Sequence, residues 1–259
     1  MCGDCLFMNV LIIGGGAMGS ALKQCWQDFD VITIDPIQEG CIRSINDLPA
    51  SYKPDVIVLA VKPQLMESVL PVYVKAFVGI GCVWVSVAAG LPLTFYKQHA
   101  PECTFVRCMP NLPVLYKEGA IGLYSPHQSV VFDTMQVLFS YAGQVVWMDD
   151  ETDMDAVTAL SGSGSAYCYL MVECLAKAGI ALGLPEIIAT ALARQTLIGA
   201  GAMLKNDKRD ASVLREQVTS SKGTTEAALY VLMHDDRLEK TFMDAMQAAY
   251  ERSCALSKM

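Results

Sequence analysis

Basic residues are scarce in this sequence, which has 19 lysines and arginines against 27 aspartates and glutamates. The net charge of −8 and the lack of any lysine or arginine run argue against a nucleic-acid-binding protein, which needs a positively charged face. The sequence also lacks an uncharged apolar stretch of about 18 residues, the length that a membrane-spanning helix needs. We therefore predict no nucleic-acid partner and no membrane, and the 53% hydrophobic content then indicates an obligate oligomer.

A complete zinc-binding motif is missing as well. Cys2 and Cys5 form a C-x-x-C pair, but no second pair or histidine cluster accompanies them, so we predict no metal site. The remaining cysteines lie mostly in apolar runs, where a thiol packs as a small hydrophobic group. Residues 1–7 lack the basic region and the long apolar core of a secretion signal. The expected location is the cytoplasm, with reduced thiols.

A glycine-rich segment, GGGAMG, follows directly after a short apolar run at residues 9–13 that is typical of a buried strand. In a G-x-G-x-x-G pattern the first glycine makes a tight turn, the second admits a pyrophosphate, and the third lets the helix approach the strand. The N-terminus of that helix attracts the phosphates. The segment therefore predicts a dinucleotide site, with the candidate residues Gly14, Gly16, Ala17, Met18 and Gly19.

Asp35 ends the second predicted strand, residues 31–34, and stands 21 residues after Gly14. An acidic side chain at this position accepts hydrogen bonds from the ribose hydroxyls of NAD and repels the 2′-phosphate of NADP. The cofactor is thus expected to be NADPH or NADH, and Asp35 tilts the expectation toward NADH. Two alternatives stay open: Asp35 is a plain turn residue, or Arg43 reaches a phosphate.

Further apolar segments predict a sheet of about eight strands over the first part of the chain. The segments that follow are residues 55–61, 83–87, 104–108, 120–124 and 144–148. With helices between them they predict an α/β fold, a Rossmann-like doubly wound sheet over residues 1–152. Strand patterns stop there, and residues 153–259 are predicted to form an all-helical dimerisation and substrate domain.

Two loops follow the carboxyl ends of predicted strands, where open α/β sheets bind ligands. Lys62 and Pro63 follow the third strand. Asn111 lies in a loop with a proline on either side, and the fixed φ of proline makes this loop stiff enough to hold an amide near a nicotinamide. For Arg107, at the start of this loop, a role in a rigid crossover is an equal alternative.

The longest apolar helix of the second half is predicted over residues 156–184 and opens with SGSG, residues 161–164. A helix that is apolar nearly all round must be buried. We interpret it as packing on a partner subunit and presenting its small residues to a cofactor; an ordinary core helix of a monomer is the alternative. Gly183 and Pro185 mark its end.

A second polar segment, TSSKGTT at residues 219–225, precedes another predicted helix with Glu226 in its first turn. Hydroxyl groups, a glycine and a helix N-terminus together favour an anion, and we expect this anion to be a carboxylate. The alternative is a plain Ser/Thr helix cap.

The chemistry of the expected reaction follows from one more absence. An enzyme that reduces a ketone needs an acid to protonate the developing alkoxide. The sequence assigns no carboxylate partner to any of its three histidines, and none of the ten tyrosines has a lysine four positions later. Reduction of an iminium yields a neutral amine, so hydroxyl and backbone N–H groups suffice. The sequence therefore favours imine reduction.

At this point the sequence resembles the Δ1-pyrroline-5-carboxylate reductase family, which catalyses the last step of proline biosynthesis. The segments that carry the resemblance are GGGAMGSAL (14–22), VLAVKPQ (58–64), RCMPNLP (107–113), DAVTALSGSGSAY (155–167) and VTSSKGTT (218–225). The match spans nearly the whole chain after Met8. The SGSG and TT segments are specific to this family, whereas the glycine fingerprint is not.

The resemblance implies hydride transfer from NAD(P)H to the ring imine carbon, giving L-proline. It implies that Thr225 hydrogen-bonds the imine nitrogen and is the candidate to deliver its proton, and that Ser220 is catalytic with it. Further implied residues are Ser220, Gly223, Thr224 and Ser163 for the substrate, and Val61, Lys62, Pro63 and Asn111 for the cofactor. It also implies a homodimer or higher homo-oligomer with interleaved helical halves.

The sequence departs from the family pattern at several positions. Ser221 replaces a proline, Lys222 replaces a glycine, Ser165 replaces another proline after SGSG, and Leu112 replaces a threonine. Lys222 either adds a cation for the carboxylate or points to solvent. These departures leave two alternatives open: a related reductase of another cyclic imino acid, and a non-catalytic NAD(P)-binding protein.

Overall fold

The structure, a computed structural model, describes residues 8–256, so Cys2 and Cys5 lie outside the described residues. The strands are β1 (Asn9–Ile13), β2 (Asp30–Ile34), β3 (Val56–Leu59), β4 (Val83–Ser86), β5 (Thr104–Met109), β6 (Gly119–Tyr124) and β7 (Gly143–Trp147). The helices are α1 (Ala17–Cys25), α2 (Pro63–Phe77), α3 (Leu93–His99), α4 (Gln128–Ser140), α5 (Asp153–Val157), α6 (Gly164–Ala181), α7 (Glu186–Asn206), α8 (Ala211–Gln217), α9 (Thr224–Met233) and α10 (Arg237–Leu256). A π-helical turn covers Thr158–Gly162, and 3-10 turns cover Ile45–Asp47, Leu112–Tyr116 and His234–Asp236.

The strands form one sheet in the order β2-β1-β3-β4-β5-β6-β7. All neighbours are parallel except β5 and β6, which run antiparallel because the short turn Leu112–Tyr116 joins them without a crossover helix. The predicted Rossmann-like sheet is confirmed. The expectation of about eight strands is wrong for the described residues: seven strands pair, and Ile42 makes only an isolated bridge to Ile34.

The sheet is buried on both faces, which explains the continuous apolar runs in its strands. One face carries Val10, Ile12, Val56, Val58 and Val106 and packs on α1 and α4. The other face carries Leu11, Ile13, Ile57, Leu59 and Phe105 and packs on α2 and α3. Because the chain passes from β1 to β2 on one side and then to β3 on the other, the strand order reverses at the carboxyl ends of β1 and β3, which is where open α/β sheets form a ligand-binding crevice.

By their internal contacts the described residues form two compact units. The first unit contains residues 8–163 together with residues 249–256, and the second contains residues 164–248. The end of α10 therefore belongs to the unit that holds the sheet.

Two contacts hold the end of α10 within the first unit. Ser253 Oγ donates a hydrogen bond of 2.6 Å to Asp155 Oδ1. Leu256 lies so close to Gly90 that a methyl group there would come within 2.7 Å of Leu256 Cβ, and Gly90 also has a positive φ of +77°. Only glycine meets both conditions at position 90.

In the second unit, α6 ends as the sequence predicts. Gly183 adopts a left-handed φ of +97°, and the N–H of Leu184 donates to Gly179 O at 3.1 Å, which closes the helix. Pro185 then caps α7. α6 and α7 pack through small side chains, since a methyl group on Gly179 would lie only 3.2 Å from Ala189 Cβ.

The apolar surface of α6 is not covered within one chain. Tyr169 is 60% exposed and Leu170 is 56% exposed, and Ala176 is the one buried residue of this helix. The alternative of an ordinary monomer core helix is therefore wrong. A π-helical turn also divides the predicted helix 156–184, so that α5, the turn and α6 follow one another.

α7 is apolar along most of its length. Within the described residues it is the one helix whose length and composition would allow it to cross a membrane. One such helix is weak support for a membrane span, because core helices of soluble proteins can have the same length and composition.

Candidate active site

The loop between β1 and α1 has the shape that its glycine pattern predicts. Gly14 has a left-handed φ of +106°, and a methyl group there would lie 2.6 Å from the carbonyl oxygen of Ala60. A methyl group on Gly19 would collide with the carbonyl oxygen of Gly14, whereas Gly16 has nothing within 4 Å. Gly16 thus leaves open space in front of α1, whose first N–H groups have no partner inside the helix. This space suits a pyrophosphate.

Asp35 joins the glycine loop to the turn that follows β2. Its Oδ2 accepts from the N–H of Gly15 at 2.7 Å, and its Oδ1 accepts from the N–H groups of Ile37 and Gln38, both at 2.9 Å. Burial acts to raise the pKa of Asp35, but these hydrogen bonds and the nearby charge of Arg43 lower it below its ordinary value overall. The carboxylate is therefore ionised and held at the edge of the glycine loop.

Arg43 is used within the same loop. Its Nη1 donates to the carbonyl oxygens of Pro36 at 2.9 Å and Gln38 at 3.3 Å. Lys23 Nζ adds a bond of 3.1 Å to the carbonyl of Gly40. These contacts give the segment after Asp35 a defined shape, and they engage the guanidinium that the sequence offered as a phosphate ligand.

The end of β3 lies beside the glycine loop. Val61 Cγ1 is 3.1 Å from the position that a methyl group on Gly14 would take. Lys62 caps α2, and Pro63 occupies the first position of this helix, where proline is favoured. Val61 therefore contacts the glycine loop, and Lys62 and Pro63 follow it at the start of α2.

Asn111, in the loop after β5, bridges two other segments of the first unit. Its Oδ1 accepts from the N–H of Ala120 at 2.9 Å, and its Nδ2 donates to the carbonyl oxygen of Ser161 at 3.2 Å. The side chain is buried, with 9% of the residue exposed. Both polar groups of the amide therefore contact the protein, and its position near a nicotinamide stays a prediction.

Arg107 lies within β5 and is also buried. Its Nη1 contacts Glu151 Oε1 at 3.0 Å, and the same oxygen accepts from the N–H of Leu93 at 2.6 Å. Its Nη2 is buried without a hydrogen-bond partner among the described residues. Sequence reasoning missed Glu151, because no local pattern connects it to a residue 44 positions earlier.

The SGSG segment coincides with the π-helical turn. The N–H of Ser163 donates to Thr158 O, five residues back, at 2.9 Å, and Ser161 Oγ donates to Val157 O at 3.0 Å. Within the described residues the hydroxyl of Ser163 has no hydrogen-bond partner, so it is available to a ligand. Single π turns in helices are frequent at functional sites, and the apolar pattern gave no indication of this one.

The hydroxyl-rich segment, residues 219–225, lies in the second unit and leads into α9. Thr224 and Thr225 occupy the first two helical positions, and Gly223 is the N-cap. The N–H of Gly223 donates to Ser220 O at 3.0 Å, and a methyl group on Gly223 would collide with Ser220 Oγ. No described residue pairs with the hydroxyls of Ser220, Thr224 and Thr225. The segment has the form expected of an anion-binding helix terminus.

Lys222, which stands where the resemblance led us to expect glycine, adopts a left-handed φ of +62°. Its backbone N–H donates to Glu226 Oε2 at 2.7 Å. The backbone therefore keeps a conformation suited to glycine, at a cost of roughly 1–2 kcal/mol for a residue with a side chain.

Two histidines have carboxylate neighbours that the sequence did not reveal. His99 Nε2 lies 3.5 Å from Glu67 Oε1, and His234 Nδ1 lies 2.9 Å from Asp235 Oδ2. His99 ends α3, just before the amino end of β5, and His234 follows the carboxyl end of α9. Both pairs are thus at the opposite ends of their elements from the candidate site.

The structure brings together the glycine loop, Asp35 and Val61–Pro63 at the carboxyl ends of β1, β2 and β3 in the first unit. The substrate candidates of residues 219–225 lie together in the second unit. Within residues 8–256 no cluster of three or more His, Cys, Asp or Glu side chains is placed to hold a metal ion. The fold and the crevice define a Rossmann-like nucleotide-binding protein with an added helical region.

Comparison with known proteins gives the particular family. A family described as pyrroline-5-carboxylate reductase dimerisation matches residues 151–256. The chain is 38% identical to the pyrroline-5-carboxylate reductase of Haemophilus influenzae, over 94% of this chain and 96% of that protein. The solved pyrroline carboxylate reductase of Plasmodium falciparum, with NADP bound, is 30% identical with a TM-score of 0.82, over 96% of this chain and 98% of that one. The solved pyrroline-5-carboxylate reductase of Coxiella burnetii is 28% identical with a TM-score of 0.86, over 97% of this chain and 99% of that one.

This chain belongs to the pyrroline-5-carboxylate reductase family. It is an oxidoreductase that acts on a carbon–nitrogen double bond, as the absence of a ketone-reducing acid predicted.

Proposed function

We propose that this protein reduces Δ1-pyrroline-5-carboxylate to L-proline, the last step of proline biosynthesis, with a hydride from a reduced pyridine nucleotide. The observation that carries the proposal is the similarity over nearly the full length, 38% identity across 94% of the chain, to a protein of that name.

A pyridine nucleotide fits the crevice of the first unit, because Gly16 leaves open space in front of the unpaired N–H groups of α1. The residues that would hold it are Gly14, Gly16, Ala17, Met18 and Gly19 for the pyrophosphate, and Val61, Lys62 and Pro63 toward the nicotinamide, with Asn111 nearby. We expect NADH to be preferred over NADPH, since the fixed carboxylate of Asp35 repels a 2′-phosphate.

The substrate carboxylate is expected at the N-terminus of α9, where Ser220, Gly223 and Thr224 offer hydroxyl and N–H groups. Thr225 donates a hydrogen bond to the imine nitrogen and passes on to it a proton that its hydroxyl regains from water, and Ser163 is the further residue proposed for the substrate. The cofactor, when bound, supplies the hydride to the imine carbon. Because the product is a neutral amine, the uncharged donors of these residues are sufficient.

We also propose the assembly. The protein forms a homo-oligomer, with a homodimer as its unit, in which a second copy covers the exposed apolar surface of α6 and α7. This accounts for the composition of α7 without a membrane.

We further propose that the boundary between the nucleotide-binding domain and the helical dimerisation and substrate domain lies between residues 152 and 153. The unpaired thiols of the described cysteines support a cytoplasmic location.

Because Lys222 and Ser221 depart from the family pattern, the test also distinguishes the two alternatives, a reductase of another cyclic imino acid and a non-catalytic NAD(P)-binding protein. Purified protein is mixed with NADH or NADPH and Δ1-pyrroline-5-carboxylate, and oxidation is followed at 340 nm. Oxidation with this substrate supports the proposal. Turnover restricted to a six-membered cyclic imine would transfer the assignment to a related reductase, and cofactor binding without turnover of either imine would indicate a binding protein.

A further inference from the structure

The segment that carries the π-helical turn is seated directly on the β5–β6 hairpin of the first unit. Gly122 in β6 lies so close to Val157 that a methyl group there would come within 2.6 Å of Val157 Cγ1. Met109, the last residue of β5, packs on Gly162, with its Sδ 3.2 Å from the position of a methyl group on that glycine. The turn is therefore in tight contact before any polar interaction is counted.

Asn111 adds the one side-chain hydrogen bond that the described structure shows between this hairpin and the backbone of the turn. Its two polar groups point to different segments: Oδ1 to the N–H of Ala120 and Nδ2 to the carbonyl of Ser161. Because the amide is buried and engaged at both ends, its orientation is fixed. Ser163, two residues beyond, makes the 2.9 Å hydrogen bond to Thr158 that defines the π turn.

We propose that Asn111 is a positioning residue, which holds the π turn in the geometry that presents the Ser163 hydroxyl, and that it acts through this turn without itself bonding the cofactor. This inference rests on the proposed function for its catalytic consequence. It predicts that loss of the Nδ2 donor releases the turn while the pyrophosphate-binding loop, in another part of the unit, keeps its affinity.

The test uses Asn111→Asp, which keeps the acceptor for Ala120 and replaces the donor to Ser161, and Asn111→Leu, which removes both bonds without adding a charge. The control is Asn9→Asp, because Asn9 Nδ2 makes the same kind of bond, 3.0 Å to the carbonyl of Lys53, at an exposed site outside the proposed machinery. Three quantities are measured: amide hydrogen exchange over residues 158–163, the Kd for NADH, and kcat and KM for the imine.

We expect both Asn111 variants to exchange about tenfold faster over residues 158–163, where opening of the turn exposes its amides. Their kcat should fall about tenfold while the Kd for NADH changes less than about threefold, the pattern of a lost transition-state contact. The Asn9→Asp protein should match the wild type in all three measurements.

Unchanged exchange over residues 158–163 would overturn the proposal. So would a large rise in the Kd for NADH with kcat intact, because that result would make Asn111 a direct cofactor ligand. If the wild-type protein does not turn over the imine, the proposed function fails, but exchange and NADH binding still decide the role of Asn111. If Asn111→Asp does not fold, Asn111→Leu supplies the same comparison.

Discussion

The carboxylate of Asp35 accepts a 2.7 Å hydrogen bond from the backbone N–H of Gly15. The residue expected to select the cofactor therefore also fixes the loop expected to bind its phosphates. A change at Asp35 should act on both the choice of cofactor and the order of this loop, and the two effects can be measured separately.

For cofactor choice, Asp35→Ser should lower the ratio of kcat/KM with NADH to kcat/KM with NADPH by about tenfold, since a negative charge beside the ribose is removed. Asp30→Ser, on the exposed start of the same strand, is the matched control and should leave the ratio unchanged. Steady-state kinetics with both cofactors provides the measurement. Unaltered selectivity in Asp35→Ser would remove this residue from the explanation.

For loop order, the lowered pKa of Asp35 predicts a pH dependence. A carboxyl group whose pKa is depressed in the folded state contributes stability that is fully present above its unfolded pKa and is lost as the pH falls through the folded value. The difference in free energy of unfolding between the wild type and Asp35→Asn should thus be constant near neutral pH and shrink below about pH 4. Urea titrations at several pH values test this, and a difference that persists unchanged at pH 3 would contradict it.

The glycine loop allows packing and binding to be separated. Gly19→Ala should destabilise the protein by on the order of 2 kcal/mol or more, because its methyl group meets the carbonyl oxygen of Gly14. Gly16→Ala should change stability by less than about 1 kcal/mol, since its methyl group enters open space, yet weaken NADH binding about tenfold. Denaturant unfolding and NADH fluorescence titration give the two quantities. Equal destabilisation by both substitutions would show that the loop differs from this description.

Thr225→Val should lower kcat by about 100-fold, the range typical of a lost proton donor, and leave the Kd for NADH nearly unchanged. Thr241→Val is the control, because among residues 8–256 the one partner of the Thr241 hydroxyl is the carbonyl of Arg237 within its own helix. Stopped-flow measurement of hydride transfer separates chemistry from product release. Wild-type rates in Thr225→Val would place the proton route elsewhere.

Lys222→Gly should raise the free energy of unfolding by about 0.5–1 kcal/mol. The left-handed conformation at this position is strained for lysine and free for glycine, and only part of the gain is lost to the greater freedom of the unfolded chain. Lys208→Gly, in a turn with no positive φ, should not stabilise the protein. A stability change of the same sign and size in both variants would argue against strain at Lys222.

Local sequence patterns predicted the features that depend on local chemistry. The apolar run at residues 9–13 coincides with β1, and the left-handed Gly183 ends α6 as its sequence indicates. The predicted strand 55–61 shortens to Val56–Leu59, because its pairing with β4 ends there and the chain turns toward Gly14. These differences are small since burial on both faces defines such strands.

Features that depend on distant contacts could not be predicted. The π turn at Thr158–Gly162 lies against the hairpin that carries Asn111. Asn111 and its hydrogen-bond partner Ser161 are 50 positions apart in the sequence, and no local pattern encodes their contact. The partnership of Arg107 with Glu151 is equally remote in sequence. The exposure of α6 within one chain agrees with the prediction that this helix packs on a partner subunit. Its apolar composition indicated that the surface is covered, but composition alone does not distinguish a second copy from the rest of the same chain.

The placement of the end of α10 has a consequence for synthesis on the ribosome. The sheet and its helices are complete in sequence by residue 163. The partners of Gly90 and Asp155, which are Leu256 and Ser253 respectively, are synthesised only after the whole helical region. The ribosome adds about 90 further residues, at about 5–20 residues per second, before the end of α10 can pack on this unit. During that time the nucleotide-binding unit lacks the contacts of residues 249–256. A fusion or truncation that displaces residues 249–256 would leave the folded unit without these contacts.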